Sequence, residues 1–438
     1  RKQGAALDLP VAVAILVADG QIPPPGPHGT VLAGELSLDG RLRPVRGVIS
    51  AALAARDAGR DRIIVPRENA GEAALVGGIQ VLSADSLSEA GRWGTPECPG
   101  PVQVDVLPIL DQADRNGPDA DLAQVRGQAF ARRALEVAAA GGHNLLLVGP
   151  PGAGKTMLAR RLPGILPRLT PDEALDVTRV YSAAGLGTGL VTCRPFRAPH
   201  HGISPAGLVG GGARPRPGEV RLASQGVLFL DELPEFRREA LESLRQPLED
   251  RVLSLSRVSG TAVLPARVAL VAAMNPCPCG YHGSPARSCS WSPNEVRRYR
   301  GRVSGPLLDR FDLVVEVPAV DLAALSSGPA GECTRTVRRR VERARALQVR
   351  RFANGSRAAC NAVMDSAELE ELALPSVAAL DLLRRPGGGK MLSARGYCRV
   401  LRVARTLADL SGKQQIGREE LMEAFMFRQG EESGGMQD

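Results

Sequence analysis

Between residues 121 and 325, short apolar runs alternate with stretches in which apolar residues recur at helical spacing. A run that is apolar throughout is typical of a strand buried on both faces, and strands that alternate with helices favour a parallel sheet. The clearest runs are Asn144–Val148, Val227–Leu230, Val268–Ala272 and Leu313–Val317. We therefore predict an α/β core with helices on both faces of its sheet.

The pattern changes before this core. Residues 1–93 carry short apolar runs broken by Gly and Pro and one Ala-rich helical stretch, Ser50–Ala58, which predicts a small α/β domain. Residues 94–120 are rich in Pro, Gly and Asp, which is typical of an interdomain linker. Because the chain starts at Arg1 without an initiator Met, we interpret its N-terminus as truncated.

A helical lid domain is predicted after the core, beyond a Gly, Ser and Pro break at Ser326–Gly331. Residues 332–430 show apolar residues at helical spacing, and residues 431–438 are polar and Gly-rich, which predicts a disordered tail. The predicted helices are Arg335–Arg351, Ser366–Leu372, Val377–Arg384, Ala394–Leu410 and Arg418–Arg428.

Composition excludes a membrane-spanning helix and leaves a polyanionic partner open. The chain is 44% apolar with a mean hydropathy of −0.07, and its apolar runs are far shorter than the ~20 residues that span a bilayer. A formal charge of +8 suits a nucleic acid but is also common in proteins that bind none. The eight cysteines are scattered rather than arranged as a disulfide framework, which favours a reducing cytoplasm.

A phosphate-binding motif follows the apolar run that ends at Val148. Its glycines let backbone N–H groups surround phosphate oxygens, its lysine reaches the outer phosphates, and its threonine hydroxyl serves magnesium. A helical pattern through Arg160–Leu162 follows, as the motif requires. We therefore predict that ATP and Mg²⁺ bind here. The motif consists of Gly149, Pro150, Pro151, Gly152, Ala153, Gly154, Lys155 and Thr156.

Two acidic residues complete the predicted hydrolytic site. Asp231 and Glu232 follow the fully apolar run Val227–Leu230, so the pair should lie at the carboxyl end of a buried strand. We expect Asp231 to hold magnesium and Glu232 to polarise the attacking water. An ordinary helix start is the alternative, since Asp is a good N-cap, but the preceding motif disfavours it.

Two further residues fit a nucleotide-hydrolysing motor by their order along the chain. Asn275 follows the run Val268–Ala272 and would contact the γ-phosphate, as a sensor, if that strand lies between the first two strands. Arg310 lies in a loop just before Leu313–Val317. We expect Arg310 to be the arginine that one subunit supplies to its neighbour, where it stabilises the charge that spreads during phosphoryl transfer.

The order of these motifs resembles an AAA+ module, and five segments resemble the magnesium-chelatase-like ComM family. The resemblance covers almost the whole chain and implies a homo-hexameric ring with DNA helicase activity, driving branch migration of strands taken up in natural transformation. Its DNA substrate would be single-stranded or branched. The resemblance also implies that Arg395 reaches back to the nucleotide. The segments are Arg194–His201, Leu208–Gly212, Pro215–Glu219, Leu228–Phe236 and Ser304–Phe311.

The N-terminal residues resemble part of the proteolytic domain of Lon proteases, a fold of the S5 domain 2-like type. The similar segments are Ala33–Pro44 and Ile63–Asn69. Lon domains hydrolyse peptides with a Ser–Lys pair, but the resemblance aligns Ala6 with the serine and Ile49 with the lysine. Neither side chain is a nucleophile or a base. We therefore expect a partial, non-proteolytic Lon-like domain.

A candidate zinc site follows the predicted sensor. Cys277, Cys279, His282 and Cys289 offer three thiols and an imidazole within thirteen residues. Members of the ComM family tend to carry Cys-x-Cys at both ends of this segment, whereas Trp291 takes the last place here. The fourth ligand is left open between His282 and water, and the cysteines could also remain unmetallated.

Candidate DNA contacts lie in two segments that related ring motors direct toward the pore. One spans Arg194–Glu219 and includes two histidines, His200 and His201; the other lies between Glu249 and Val263, where a hairpin with Gly260 at its tip is possible. Arginines there would neutralise phosphates without reading sequence. Aromatic residues form only 3% of the chain, which disfavours recognition by base stacking. The candidates are Arg194, Arg197, Arg251 and Arg257.

Three classes of function remain after these observations. A DNA translocase or branch-migration helicase driven by ATP is the leading hypothesis. A motor that remodels a protein, like the magnesium-chelatase ATPase subunit, is the alternative. A Lon-type protease is disfavoured by Ala6 and Ile49.

Overall fold

The structure is a computed structural model of the chain. It describes residues 5–24, 29–92, 100–116, 120–187, 189–211, 216–257, 260–283, 287–319, 331–353, 358–384 and 393–428. The chain forms two compact units. The first comprises Arg1–Gly117, Leu169–Cys193 and Arg214–Pro217, and the second comprises Pro118–Arg168, Arg194–Ala213 and Gly218–Asp438.

The first unit is a small α/β fold around a three-stranded parallel sheet. Its strands are ordered Thr30–Leu32, Arg62–Pro66, Gln80–Ala84, and a short antiparallel pair joins Glu35–Leu36 to Leu42–Arg43. Ile49, at the position that the Lon resemblance gives to a lysine, is fully buried. The helices are Asp8–Ala18, Val48–Asp57, Arg67–Ala73, Leu87–Ala90, Val106–Asn116 and Pro171–Ala184, and a 3₁₀ turn spans Ala5–Leu7.

Two features of this unit differ from the sequence pattern. The segment interpreted as a linker contains a three-turn helix, Val106–Asn116, whose first turn is capped by the Asp105 carboxylate accepting from the N–H of Leu107 at 3.1 Å. The Pro and Asp content that suggested a linker here belongs to a helix start. Leu169–Cys193, although it lies between two strands of the core in sequence, belongs to the first unit.

The second unit is built on a five-stranded parallel sheet. The P-loop strand Leu145–Val148 lies between Leu313–Glu316 and Ala269–Met274, followed by Val227–Leu230 and the short edge strand Phe196–Arg197. In sequence order the strands therefore run 5-1-4-3-2 across the sheet. All carboxyl ends meet at one edge, so loops that are far apart in sequence are brought together there.

Both faces of this sheet are buried, as the apolar runs predicted. Alternate residues such as Leu145 and Leu147 face one cluster, while Leu146 and Leu228 face another. The first cluster continues into the helix Ala129–Gly141 and the lid helices. Besides that helix, the helices of the core are Lys155–Ala159, Leu162–Ile165, Pro205–Val209, Glu219–Leu222, Arg238–Ser243, Arg245–Asp250, Pro293–Arg300 and Gly305–Leu308.

The lid helices follow the predicted spacing closely. They are Thr334–Phe352, Ser366–Leu372, Val377–Arg384, Ala394–Leu410 and Arg418–Met426, with 3₁₀ turns at Leu122–Gln124, Leu233–Glu235 and Asn361–Val363 elsewhere in the unit. Capping fixes their starts: Asp365 accepts from the N–H of Glu368, and the Ser393 hydroxyl accepts from the N–H of Gly396. The predicted tail lies outside the described residues.

A buried polar network fixes the lid helices to each other and to the core. Asp409, almost fully buried, accepts from Arg405 at 2.9 Å, from Asn361 at 2.8 Å and from two donors of Arg351. Asn361 and Thr406 are hydrogen bonded at 3.1 Å, and Thr406 contacts His143 at 2.8 Å. Charged groups this deeply buried are stable only while every partner is present.

We expect Asp409→Ala to destabilise the second unit by about 3–5 kcal/mol, because the guanidinium of Arg405, which is fully buried, loses its carboxylate. The control is Glu419→Ala, which removes a carboxylate that is 90% exposed and pairs with Lys413 at 3.4 Å; its cost should stay below about 1 kcal/mol. Urea unfolding followed by circular dichroism measures both. Equal midpoints for the two variants would contradict the structural importance of the network.

Candidate functional site

The phosphate-binding loop is held between the first strand and its two neighbours. The N–H of Gly149 donates to the carbonyl of Met274 at 3.2 Å, and a Cβ on Gly149 would lie 2.1 Å from the carbonyl oxygen of Val317. Gly152 and Gly154 have φ angles of +76° and +86°, which L side chains rarely adopt. The glycines are therefore required by the path of the backbone.

The ammonium group of Lys155 is enclosed by this loop. It is only 9% exposed and donates to the carbonyls of Gly149 at 2.7 Å and Pro150 at 2.9 Å, and to Oδ1 of Asn275 at 3.0 Å. Burial lowers the pKa of Lys155, and the nearby charges of Asp231 and Glu232 act in the opposite direction. The positive charge is thus positioned before any phosphate arrives.

The acidic pair lies where the buried strand Val227–Leu230 ends. The hydroxyl of Thr156 donates to Oδ2 of Asp231 at 2.7 Å, and the N–H of Glu232 donates to Oδ1 of the same carboxylate at 3.0 Å. Hydroxyl and carboxylate oxygens at this spacing are the ligands that Mg²⁺ prefers. Glu232 itself is exposed and has a φ of +54°, a strained conformation for a non-glycine residue.

His201 lies beside the carboxylate of Glu232, a contact that sequence reasoning missed. Its Nδ1 is 3.7 Å from Oε2 of Glu232; its ring is tilted against that of His200, with centroids 4.0 Å apart, and meets the edge of Phe236. The segment after Phe196–Arg197 reaches Glu232 because that edge strand pairs with Val227–Leu230. The sequence grouped His201 with the DNA candidates, and only the strand order could have revealed this neighbour.

Asn275 contacts the phosphate-binding loop, whereas Arg310 contacts other parts of the chain. Asn275 follows the strand between the P-loop strand and Val227–Leu230, which meets the condition set for a sensor, and it contacts Lys155 directly. The guanidinium of Arg310 donates to the carbonyl of Pro306 at 2.9 Å and pairs closely with Glu249. The Arg310 side chain therefore makes these two contacts within its own chain, in the loop that precedes the strand Leu313–Glu316.

The start of the long lid helix carries two arginines with different surroundings. Arg395 is exposed in its first turn. Arg399, one turn later, is buried and pairs with Asp309 at 2.9 Å, so the lid helix supports the loop that carries Arg310. The sequence pointed to Arg395 through family resemblance alone, and nothing in the pattern distinguished Arg399.

Two of the four arginines expected to contact DNA, Arg194 and Arg197, have partners within the chain. Arg194 donates to the carbonyls of Pro167, Arg168 and Gln225, and Arg197 forms a bidentate pair with Glu219. A DNA contact by either residue would require it to exchange these partners.

The expected hairpin is present as the antiparallel strands Val252–Arg257 and Gly260–Pro265. Gly260 is not its tip but the first residue of the second strand, opposite Arg257; residues 258–259 and the side chain of Arg257 lie outside the described residues. Arg251 is the residue before the first strand, with a φ of +53°.

Three thiols form a compact cluster after Asn275. The Sγ atoms of Cys277, Cys279 and Cys289 lie 3.3, 3.6 and 3.6 Å apart, close to the about 3.8 Å separation that tetrahedral Zn–S bonds of ~2.3 Å produce. The imidazole of His282 does not belong to this cluster, contrary to one sequence expectation; instead its backbone N–H donates to Cys277 at 3.3 Å. His282 lies in an exposed turn that follows Gly280.

The electrostatics of the cluster favour at least one thiolate. Burial acts to raise the pKa of Cys279, but hydrogen bonds from the backbone of Tyr281 and Ser290 and from the two other thiols lower it to about 6. The backbone of Trp291 favours the thiolate of Cys289 and acts to lower its pKa. Burial and the neighbouring thiols of Cys277 and Cys279 act in the opposite direction, and the pKa of Cys289 is raised overall. Sharing protons in this way is typical of grouped cysteines.

Known families and proteins match nearly the whole chain. Residues 121–325 match the family described as "Magnesium chelatase, subunit ChlI", residues 331–428 match its C-terminal family, and residues 1–69 match "Subunit ChlI of Mg-chelatase". The competence protein ComM of Haemophilus influenzae is 42% identical over 433 residues, which cover 98% of this chain and 83% of that protein. The chain belongs to the ComM-type magnesium-chelatase-like family.

The chain is also similar to other proteins. An uncharacterised protein of Mycobacterium tuberculosis is 46% identical over 437 residues, covering 98% of this chain and 84% of that protein. Shorter likenesses are 32% identity over 121 residues to an archaeal Lon protease of Halobacterium salinarum (24% of this chain, 17% of that protein) and 27% over 207 residues to the replication licensing factor Mcm2 of Drosophila melanogaster (44% and 20%).

Family membership and fold agree on the class of protein. The ComM-type magnesium-chelatase-like family and the five-stranded parallel sheet identify a P-loop AAA+ fold and support ATP binding and ATPase activity. Within the described residues, no helix is long and apolar enough to cross a membrane.

Proposed function

We propose that this ComM-type protein is a cytoplasmic AAA+ ATPase that moves DNA strands, acting as a hexameric branch-migration helicase in recombination during natural transformation. The observation that carries the ATPase part is the arrangement of Lys155, Asn275, Thr156, Asp231 and Glu232 at one edge of the parallel sheet. The competence protein ComM and the partial likeness to Mcm2 support DNA as the substrate.

Each residue of the site has a distinct task in this proposal. Lys155 and the N–H groups of the loop bind the β- and γ-phosphates, and the side chain of Asn275 contacts the γ-phosphate. Thr156 and Asp231 hold Mg²⁺, which neutralises charge on the phosphates when bound. Glu232, the exposed carboxylate, orients and polarises the attacking water.

Arg310 completes the site of a neighbouring subunit in this proposal. Its loop is fixed to the sheet because the side chain of Asn144 donates to the carbonyl of Arg310 at 2.8 Å, and to the lid because Arg399 pairs with Asp309. The guanidinium pairs with the exposed carboxylate of Glu249, a partner that a phosphate can replace. Arg395 is proposed to contact the nucleotide from the lid.

A motor that remodels a protein is the second candidate, favoured by the chelatase-subunit families that match residues 121–325 and 331–428. The two candidates differ in what stimulates hydrolysis. DNA should stimulate the helicase, whereas a protein partner should stimulate the remodelling motor. The hairpin Val252–Pro265, together with the segment from Arg194 to Glu219, is the proposed DNA-contacting surface in the first case.

We expect forked or four-way DNA to stimulate the ATPase several-fold. Glu232→Gln should bind ATP with unchanged affinity but hydrolyse it at least about a hundredfold more slowly, because the water loses its polarising carboxylate. Glu235→Gln is the matched control, since Glu235 lies three residues away and pairs with the exposed Arg302. Steady-state ATPase assays and binding of a fluorescent ATP analogue measure these effects. DNA that neither binds nor stimulates would reject the helicase.

We expect two inactive variants to restore each other if Arg310 acts in trans. Lys155→Ala lacks the phosphate-binding amine and Arg310→Ala lacks the donated guanidinium, so an interface between them contains one complete site. An equal mixture should recover about a quarter of the wild-type rate if subunits join a ring at random. Arg245→Ala, at an exposed arginine paired with Glu242, is the control and should remain active alone. No recovery beyond the sum of the separate rates would place Arg310 outside the neighbour's site.

We also propose that the three thiols bind one structural Zn²⁺. Cys277, Cys279 and Cys289 supply three ligands at suitable separations, and the depressed pKa of Cys279 favours the thiolate that zinc requires. Because the imidazole of His282 lies outside the cluster, the fourth position is proposed to be water.

We expect about one zinc per chain by elemental analysis of protein purified without chelator, because one set of three clustered thiolates holds one tetrahedral ion. Cys277→Ser should lose it, whereas Cys193→Ser, at an exposed cysteine elsewhere, and His282→Ala should keep it. Zinc loss in His282→Ala would identify that imidazole as the fourth ligand. A metal-free wild type would refute the site.

A further inference from the structure

The lid helix Thr334–Phe352 carries eight arginines, and they fall into two groups. Four have partners within the chain: Arg338 donates to Gly164, Arg340 bridges Glu136 and Glu332, Arg345 donates to Ala139, and Arg351 pairs with Asp409. The other four are exposed, and among the described residues their side chains have no ion pair or hydrogen bond. We call these the arginine stripe: Arg335, Arg339, Arg343 and Arg350.

The stripe occupies one narrow face of the helix. At about 100° per residue its members fall within a sector of roughly 80°, on the side opposite the buried residues of the helix. At about 1.5 Å per residue it extends over roughly 22 Å. Arg339 and Arg343 also line a shallow surface depression of about 630 Å³.

The four arginines of the stripe outnumber the acidic residues of their helix. Its one acidic residue, Glu342, lines the same depression as Arg339 and Arg343 and lies 3.8 Å from Arg168. Like charges one turn apart on a helix repel and destabilise it slightly, so the arrangement costs stability in the isolated chain. A row of guanidiniums at this spacing matches the closely spaced phosphates of a nucleic-acid backbone.

We propose that the arginine stripe is a docking surface for the phosphate backbone of DNA, separate from the hairpin and from the segment after Arg194. This inference rests on the proposed function in that DNA is the substrate. The stripe would hold an arm of the DNA against the lid without reading sequence, because arginine contacts to phosphates carry no base information. Its contribution is therefore electrostatic and salt-dependent.

Salt dependence of binding to a short mixed-sequence duplex tests the stripe. Arg335, Arg339 and Arg343 are replaced together by Gln, and the affinity is measured by fluorescence anisotropy from 50 to 300 mM KCl. The slope of log affinity against log salt should become shallower by roughly 2 to 3, since each phosphate contact contributes about 0.9. The same three arginines replaced by Lys should keep the wild-type slope, because the charge is retained.

A charge-matched control replaces three exposed arginines elsewhere, Arg41, Arg43 and Arg418, by Gln and should leave the slope unchanged. DNA binding by the wild type with equal slopes for the stripe and control variants would overturn the stripe while leaving the proposed function standing. A wild type that binds no DNA would overturn both. A stripe variant that dissociates into smaller assemblies with its slope intact would identify the stripe as a subunit contact and also overturn the proposal.

Discussion

The enclosed ammonium group of Lys155 is the interaction on which the arrangement of the site depends. A nearly buried positive charge is costly unless oxygens surround it, and here two loop carbonyls and the amide of Asn275 do so. The two carbonyls belong to the loop after Leu145–Val148, the first strand of the sheet in sequence. The amide belongs to the loop after Ala269–Met274, the fourth strand. The charge can be accommodated only if these strands are neighbours, which is the strand order that the sheet adopts.

The same strand order brings Asp231 and Glu232 to this edge and leaves Arg310 on the far side of the P-loop strand. Burial of both sheet faces makes the strands rigid, and the lid network around Asp409 fixes the helices that cover one face. The reactive groups are thus placed by a stiff scaffold, whereas Glu232 alone among them is exposed and strained. Asp231 thus belongs to the rigid scaffold, and the strained residue, Glu232, is the next one along the chain.

The sequence pattern predicted those features that depend only on residues close together in the chain. The P-loop, the buried strands and the lid helices follow from spacing, and their bounds differ from the predictions by a few residues at most. Contacts between residues far apart in sequence could not be read in this way: His201 beside Glu232, Arg310 paired with Glu249, and Arg194 bound to carbonyls. The helix Val106–Asn116 was hidden because Pro and Asp are frequent both in linkers and at helix starts.

Gly280, inside the thiol cluster, lies against the phosphate-binding loop: a Cβ at that position would be 2.2 Å from the ring of Pro151. The turn that joins Cys279 to Tyr281 therefore packs against the phosphate-binding loop, and its shape depends on how the thiols are held. Loss of the zinc ion proposed for these thiols, or oxidation of two of them to a disulfide, would change that shape. ATP affinity would then depend on the supply of metal and on the redox state of the cell.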